Sequence, residues 1–265
     1  MASLQNSEGS AEPQSRLGIT RRQTIVGLGL ATAGAAGAAL ATWWNAHRPI
    51  EHHGFSLKTP KSADEALARL RAGNECYIEE HFDVGNLART TARRAEVAPA
   101  QHPYAIVLAC ADSRVPPEVI FSAGLGDLFV VRVAGNIVDP RCLGVLASIE
   151  YAIEELKIPL VFVLGHESCG AVKAAIAAVE KGIQPPGAIG VLTDAIRPVL
   201  DDVRARTGDF LTNAVEGNVR NQVANLVSSK PIVASAVTAE RVQIVGGVYE
   251  LHTGRVRVHS RPGHL

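Results

Sequence analysis

Within five residues, Cys110-Ala111-Asp112-Ser113-Arg114, the chain places a thiol, a carboxylate and a guanidinium at alternate positions. A second polar cluster, His166-Glu167-Ser168-Cys169, adds an imidazole and another thiol. Two thiolates and one imidazole make a Cys2His donor set, which suits zinc and leaves the fourth tetrahedral position open for water or substrate. A structural zinc site would close that position with a fourth protein ligand. Asp112 and Arg114 add a hydrogen-bond acceptor and a charge able to hold it in place. Taken singly, each has an ordinary reading: a Cys at a strand end is commonly a small buried hydrophobe, and Asp-x-Arg a surface ion pair. The joint pattern is what points to a metal centre.

Both clusters must be delivered by something rigid. Each follows a short apolar run, 104–109 and 160–164, so both runs read as buried parallel strands whose carboxyl ends carry the chemistry. Ligands of open α/β sheets collect at that edge. Two prolines, Pro116 and Pro117, stop the first strand, and a further strand spans 127–133 before the turn Ala134-Gly135-Asn136. Apolar side chains at Leu143, Leu146, Ala147, Ile149, Ala152, Ile153 and Leu156 recur at helical spacing and predict a crossover helix. Gly170 opens another helix that ends near Gly182, and a Gly- and Pro-rich loop covers 182–190. Helices over 193–206 and 211–227 follow, the second with Asn218, Arg220 and Asn221 on its polar side. The run 242–250, a turn at His252-Thr253-Gly254 and a strand over 255–258 read as a hairpin. Upstream, Ser62 caps a helix that continues through Leu67 and Leu70 and ends at Gly73. Residues 81–101, with Arg89, Arg93 and Arg94, read as a solvated loop. The fold class is α/β: a mainly parallel sheet flanked by helices, with a C-terminal hairpin, in one domain over 61–265.

Cys-x-Asp-x-Arg followed downstream by His-x-x-Cys-Gly resembles the β-class carbonic anhydrases, with similarity from about Ser56 to Val258. The resemblance implies zinc, one ion per subunit, on Cys110, His166 and Cys169, and a catalytic dyad of Asp112 and Arg114. It implies reversible hydration of carbon dioxide to bicarbonate and a proton by attack of zinc-bound hydroxide. Asp112 would accept a hydrogen bond from that hydroxide in an active arrangement, or swing onto the metal in an inactive one. Gln101, nine residues before Cys110, matches an amide that reaches a substrate oxygen across a subunit boundary. Phe129, Ala134, Tyr151 and Gly170 are the remaining candidates for the substrate pocket. A homodimer or homotetramer is implied, with a small-molecule substrate. Two rivals share the motifs: hydrolysis of carbonyl sulfide or carbon disulfide on the same fold, and a non-catalytic exported zinc-binding protein. A storage or redox site has no need of Asp112 and Arg114.

Lys plus Arg and Asp plus Glu both number 26, which gives no reason to expect nucleic acid or an anionic membrane surface as partner. Four cysteines in 265 residues are too few for a disulfide scaffold, so Cys76 and Cys142 read as ordinary thiols. Arg21-Arg22 precedes an uncharged, Gly- and Ala-rich stretch over 24–44, within which Ala39-Leu40-Ala41 offers a small-x-small cleavage site. Residues 1–41 therefore read as a twin-arginine-type export signal, with 42–60 a linker or arm. The expected location is periplasmic or otherwise exported, with membrane attachment only through an uncleaved signal. His47, His52 and His53 read as solvent-exposed residues of that arm.

One family subgroup is inhibited by bicarbonate at a second site that includes a Trp three residues before the first Cys. Here Val107 stands at that position, although Arg132 and Tyr151 match other members of that site. Titrating activity with bicarbonate is expected to show no cooperative loss; a sigmoidal fall would contradict this.

Overall fold

The computed structural model describes residues 59–81 and 91–259. The export segment at 1–41, the arm over 42–58 and Arg89 lie outside these residues. Elements are numbered here along the described residues. Strand β1 (Ala105–Ala109) lies between β2 (Leu128–Arg132) and β3 (Leu160–His166), and β4 (Gln243–Tyr249) and β5 (Val256–Val258) extend the sheet in the order β2-β1-β3-β4-β5. All pairings are parallel except β4 with β5, which closes the expected hairpin.

Strand alternation divides the core into two layers. Ile106, Leu108, Val161 and Val163 face one cluster, formed with helices α4 (Leu143–Glu154), α5 (Gly170–Lys181), α6 (Ile189–Val203), α7 (Phe210–Ser228) and α8 (Ile232–Thr238). Ala105, Val107, Ala109, Leu160, Phe162 and Leu164 face the other, covered by α1 (Ala63–Ile78). With both faces covered, β1 and β3 are buried at every residue, which explains why their sequences are continuous apolar runs. No described helix is long and apolar enough to cross a membrane.

Register fixes the site. Ala109 stands opposite both Arg132 and Leu164, so the polypeptide leaves β1, β2 and β3 at nearly the same height. Helix α7 packs unusually close to that sheet. A Cβ on Gly165 would lie 2.4 Å from Val219 Cγ2, and one on Gly246 would lie 2.6 Å from Val219 Cγ1. Glycine at these two strand positions lets α7 approach.

Several expectations need correction. Gly73 does not end α1, which runs on to Ile78. A Cβ at Gly73 would sit 1.9 Å from the Phe121 carbonyl oxygen, so this glycine permits a backbone approach. Residues 91–97 form helix α2 (Thr91–Val97) inside the segment expected to be a loop; none of its residues is buried. Arg93 ties it down through the Leu125 carbonyl at 3.0 Å and Asp127 at 3.2 Å. The Pro116-Pro117 pair ends β1's path as expected, and also starts the short helix α3 (Pro117–Ile120), whose first turn tolerates the missing N–H. Helix α6 begins at Ile189, inside the expected loop, and α8 was not expected at all. Asn218 is 1% exposed, on the buried side of α7 and not its polar side.

Gly73→Ala should improve helix propensity by about 1 kcal/mol yet lower net stability, because the overpacking cost is about 1–3 kcal/mol or more. Chemical denaturation would measure it, and an unchanged or raised midpoint would contradict the packing argument.

Candidate metal centre

Cys110 follows β1 directly, and its position is pinned from both sides. The Ala111 N–H donates to the Val133 carbonyl at 3.2 Å and the Val133 N–H to the Ala109 carbonyl at 3.1 Å, carrying the ladder past the strands' ends. Arg132, the last residue of β2, donates from Nε to the Cys110 carbonyl at 3.0 Å and from Nη2 to the Asp112 carbonyl at 2.6 Å. The backbone of 110–112 is thereby clamped by a neighbouring strand.

His166 ends β3 and is fully buried. Its Nδ1 lies 2.8 Å from the Glu167 carbonyl oxygen, which makes Nδ1 the N–H donor and leaves Nε2 with a free lone pair. Nε2 is buried and has no hydrogen-bond partner in the protein. The Glu167 backbone is held by its N–H on the Tyr249 carbonyl at 3.0 Å, and its carboxylate accepts from Leu251 N–H at 3.0 Å. Glu167 therefore secures the histidine's anchor.

Cys169 precedes the first turn of α5, where the N–H groups of Val172 and Ala171 favour its thiolate. The ligand atoms of Cys110, His166 and Cys169 all lie within 4.8 Å of one another, and the two sulfurs are 3.9 Å apart. Two thiolates on one tetrahedral zinc with ~2.3 Å bonds would stand about 3.8 Å apart. The Cys169 thiol, with the His166 imidazole and the N–H groups of Asp112 and Gly135, draws the Cys110 thiol down to about 4 against the opposing effect of burial. Cys169 is pushed up by the same contact. Left to themselves the pair shares one negative charge; a divalent cation is what allows both to ionise. The unpartnered Nε2 and the sulfur spacing fit a metal ion.

Asp112 stands beside this group, its Oδ2 3.9 Å from His166 Nε2. Arg114 holds it with three bonds: backbone N–H to Oδ1 at 3.0 Å, Nε to Oδ1 at 3.0 Å and Nη2 to Oδ2 at 2.8 Å. The guanidinium keeps the carboxyl well below the usual carboxylate range. Of the two arrangements expected of Asp112, this is the one turned onto Arg114.

Ala134 and Gly170 flank the ligands, the first in the turn after β2 and the second directly after Cys169. Gln101, Phe129 and Tyr151 are not gathered there. Phe129 pairs in register with Ile106, and its ring stacks at 6.4 Å on half-exposed Tyr151. Exposed Gln101 lies ahead of the start of β1, whereas Cys110 follows its far end. Residues that the motifs did not single out also reach the centre. Gly135 donates its N–H to Cys110 Sγ at 3.3 Å, and Asn218 Nδ2 donates to the Gly135 carbonyl at 2.9 Å. The Ala-Gly-Asn turn at the end of an apolar run was the available signal for Gly135.

A mainly parallel sheet with two thiols and an imidazole gathered past the carboxyl ends of adjacent strands defines an α/β protein with a group able to hold a metal ion. A profile of the carbonic anhydrase family matches residues 105–256. The chain is 40% identical over 205 residues to the carbonic anhydrase of Mycolicibacterium smegmatis, covering 77% of this chain and 94% of that one. It is 36% identical over 204 residues to carbonic anhydrase 2 of Mycobacterium tuberculosis, covering 76% and 94%. Among solved structures, the Coccomyxa β-carbonic anhydrase in complex with acetazolamide superposes with a TM-score of 0.58 at 31% identity, covering 72% of this chain and 85% of that one. The β-carbonic anhydrase CcaA gives 0.57 at 28% identity, with coverage of 73% and 87%. The chain belongs to the β-carbonic anhydrase family.

Because Arg114 depresses the Asp112 pKa, the dyad stabilises the fold above the ordinary carboxylate range and loses that contribution as pH falls below it. Arg114→Ala should raise the Asp112 pKa toward about 3.9, as read by carboxyl NMR titration. A pKa that stays depressed would show that Arg114 is not its cause.

Proposed function

We propose that this carbonic anhydrase holds one Zn2+ per subunit on Cys110, His166 and Cys169, with Asp112 and Arg114 completing the reacting centre for carbon dioxide hydration. The observation that carries this reading is the buried, unpartnered Nε2 of His166 between two thiols, with an ionised carboxylate 3.9 Å away. Zinc supplies a nucleophile at neutral pH, by acidifying water, and a positive charge for the oxyanion that develops. Asp112, kept ionised by Arg114, can only accept hydrogen bonds. It therefore accepts from the attacking hydroxyl and turns a lone pair of that oxygen toward the carbon of the substrate. Arg114 fixes the carboxylate in two dimensions through Nε and Nη2, so the acceptor direction is set before substrate arrives. Ala134 and Gly170 offer small, apolar surface to carbon dioxide, which asks for little hydrogen bonding.

The enzyme is a homo-oligomer in this reading, with Gln101, Phe129 and Tyr151 completing a neighbouring subunit's pocket. Their distance from the ligands of their own chain supports it. So does the edge of β2, which no further strand pairs among the described residues: a groove of about 550 Å³ there is lined by Phe129, Arg132, Cys142 and Leu143, and Leu143 and Tyr151 expose 68% and 49% of their surface. The Arg21-Arg22 pair and the uncharged stretch behind it support export by the twin-arginine route to the periplasm or beyond.

Stopped-flow measurement on zinc-loaded protein should show carbon dioxide hydration rising with pH between about 6.5 and 9 around a zinc-ligated water. Asp112→Asn with equal zinc should fall by about 100-fold or more. Full zinc occupancy without hydration would reject carbon dioxide as substrate and bring carbonyl sulfide and carbon disulfide forward. Light scattering should give a dimer or tetramer; a fully active monomer would remove Gln101, Phe129 and Tyr151 from the pocket.

A further inference from the structure

We propose that Asn218, on helix α7, is a positioning residue of the metal centre, acting through the backbone conformation of Gly135 on the sulfur of Cys110. The inference rests on the reading of Cys110 as a metal ligand. A directed chain of hydrogen bonds carries it. The Val138 N–H donates to Gln222 Oε1 at 2.8 Å, and Gln222 Nε2 donates to Asn218 Oδ1 at 2.9 Å. Asn218 Nδ2 donates to the Gly135 carbonyl at 2.9 Å, and the Gly135 N–H donates to Cys110 Sγ at 3.3 Å. Every donor along this chain points toward the sulfur.

The amides have no freedom to reverse. Gln222 and Asn218 are 0% and 1% exposed. Val138 N–H requires an acceptor, which fixes Gln222, and Gln222 then presents its NH2 to Asn218 and fixes that amide in turn. Asn218 and Gln222 are four residues apart, so they lie on one face of α7, and Gly165 and Gly246 let that face come down on the sheet. Gly135 has φ +75°, and a Cβ there would meet Ala171 at 3.0 Å and Ile196 at 3.1 Å. A side chain is excluded, which leaves a backbone with little restraint of its own. The carbonyl held by Asn218 belongs to the 135–136 peptide and the N–H on Cys110 to the 134–135 peptide, so holding the first fixes the second through the dihedral angles of Gly135. Asn218 is that restraint.

The chemical effect follows from charge. A thiolate that accepts a hydrogen bond donates less electron density to a metal, so the placement of the Gly135 N–H sets how much Cys110 gives. Two thiolate ligands neutralise much of a zinc ion's charge; the chain ending at Gly135 recovers part of it. Asn218 is thus placed to set both the orientation of Cys110 and the acidity of the ion it holds, without touching either.

The test uses full-length protein loaded with Co(II), whose thiolate-to-metal charge-transfer band reports on the sulfur directly. Asn218→Leu is expected to move that band to longer wavelength and weaken metal retention against a chelator by about ten-fold or more. With zinc restored, the pH midpoint of hydration should move upward. Gln222→Met, which frees the Asn218 amide, should shift the band in the same direction by less. Leu226→Ala, about two turns along the same helix and fully buried, should lower stability and leave the band in place. An unmoved band in Asn218→Leu overturns the proposal, and so does a Leu226→Ala shift of equal size. If Asn218→Leu does not fold, an unmoved band in Gln222→Met overturns it. A wild-type protein that takes up Co(II) without any thiolate band overturns the ligand reading, and this proposal with it.

Discussion

Two sulfurs and an imidazole nitrogen packed within 4.8 Å in a buried corner set the constraint on which the rest of the structure depends. Negative charge concentrated away from water is costly unless something positive or hydrogen-bonding meets it. The fold meets it from several directions. The first turn of α5 faces Cys169, the Gly135 N–H faces Cys110, and the Glu167 carbonyl takes the histidine's proton-bearing side so that the other nitrogen points inward. Even Arg114, which never reaches the sulfurs, adds positive charge next to them. These features have one meaning when the cation is counted and little meaning without it.

How much of this the sequence discloses differs from element to element for physical reasons. β1 and β3 were legible because a strand buried on both faces must be apolar throughout, and a polar cluster at its end then stands out. The dyad shows the limit of local reading. Asp139 and Arg141 form the same arrangement as Asp112 and Arg114, with a backbone N–H at 2.8 Å and two guanidinium bonds at 2.8 and 2.9 Å. Asp-x-Arg thus closes on itself in both turns; the second pair is set apart by Arg141 reaching a further carboxylate, Asp194, at 3.3 Å, the first by the proximity of His166. That proximity comes from register, which the motif alone does not contain.

Other features were hidden because their meaning is tertiary. Gly73 looks like a helix stop, since glycine usually punctuates; here the helix continues and the missing side chain makes room for the Phe121 backbone. Asn218 reads as part of the polar side of an amphipathic helix, yet it and Gln222 point inward, where buried backbone groups at Gly135 and Val138 need partners. A polar residue facing a turn in place of an apolar core gives no periodic signal. Gln101, Phe129 and Tyr151 are hidden in another way: their candidate roles concern a neighbouring molecule, and one chain's pattern cannot place them.

The close seating of α7 on the sheet has a mechanical consequence. Val219 fills the space left by Gly165 on the strand that ends in His166, while Asn218, the preceding residue, grips the turn that touches Cys110. One turn of helix therefore spans two of the three residues proposed to hold the metal, one by packing and one by hydrogen bonding. A fluctuation that lifts α7 by even a fraction of an ångström would reach both ligands together, coupling local opening of this helix to escape of the ion. In such an arrangement the durability of the enzyme is set less by its global melting than by how long one helix stays seated.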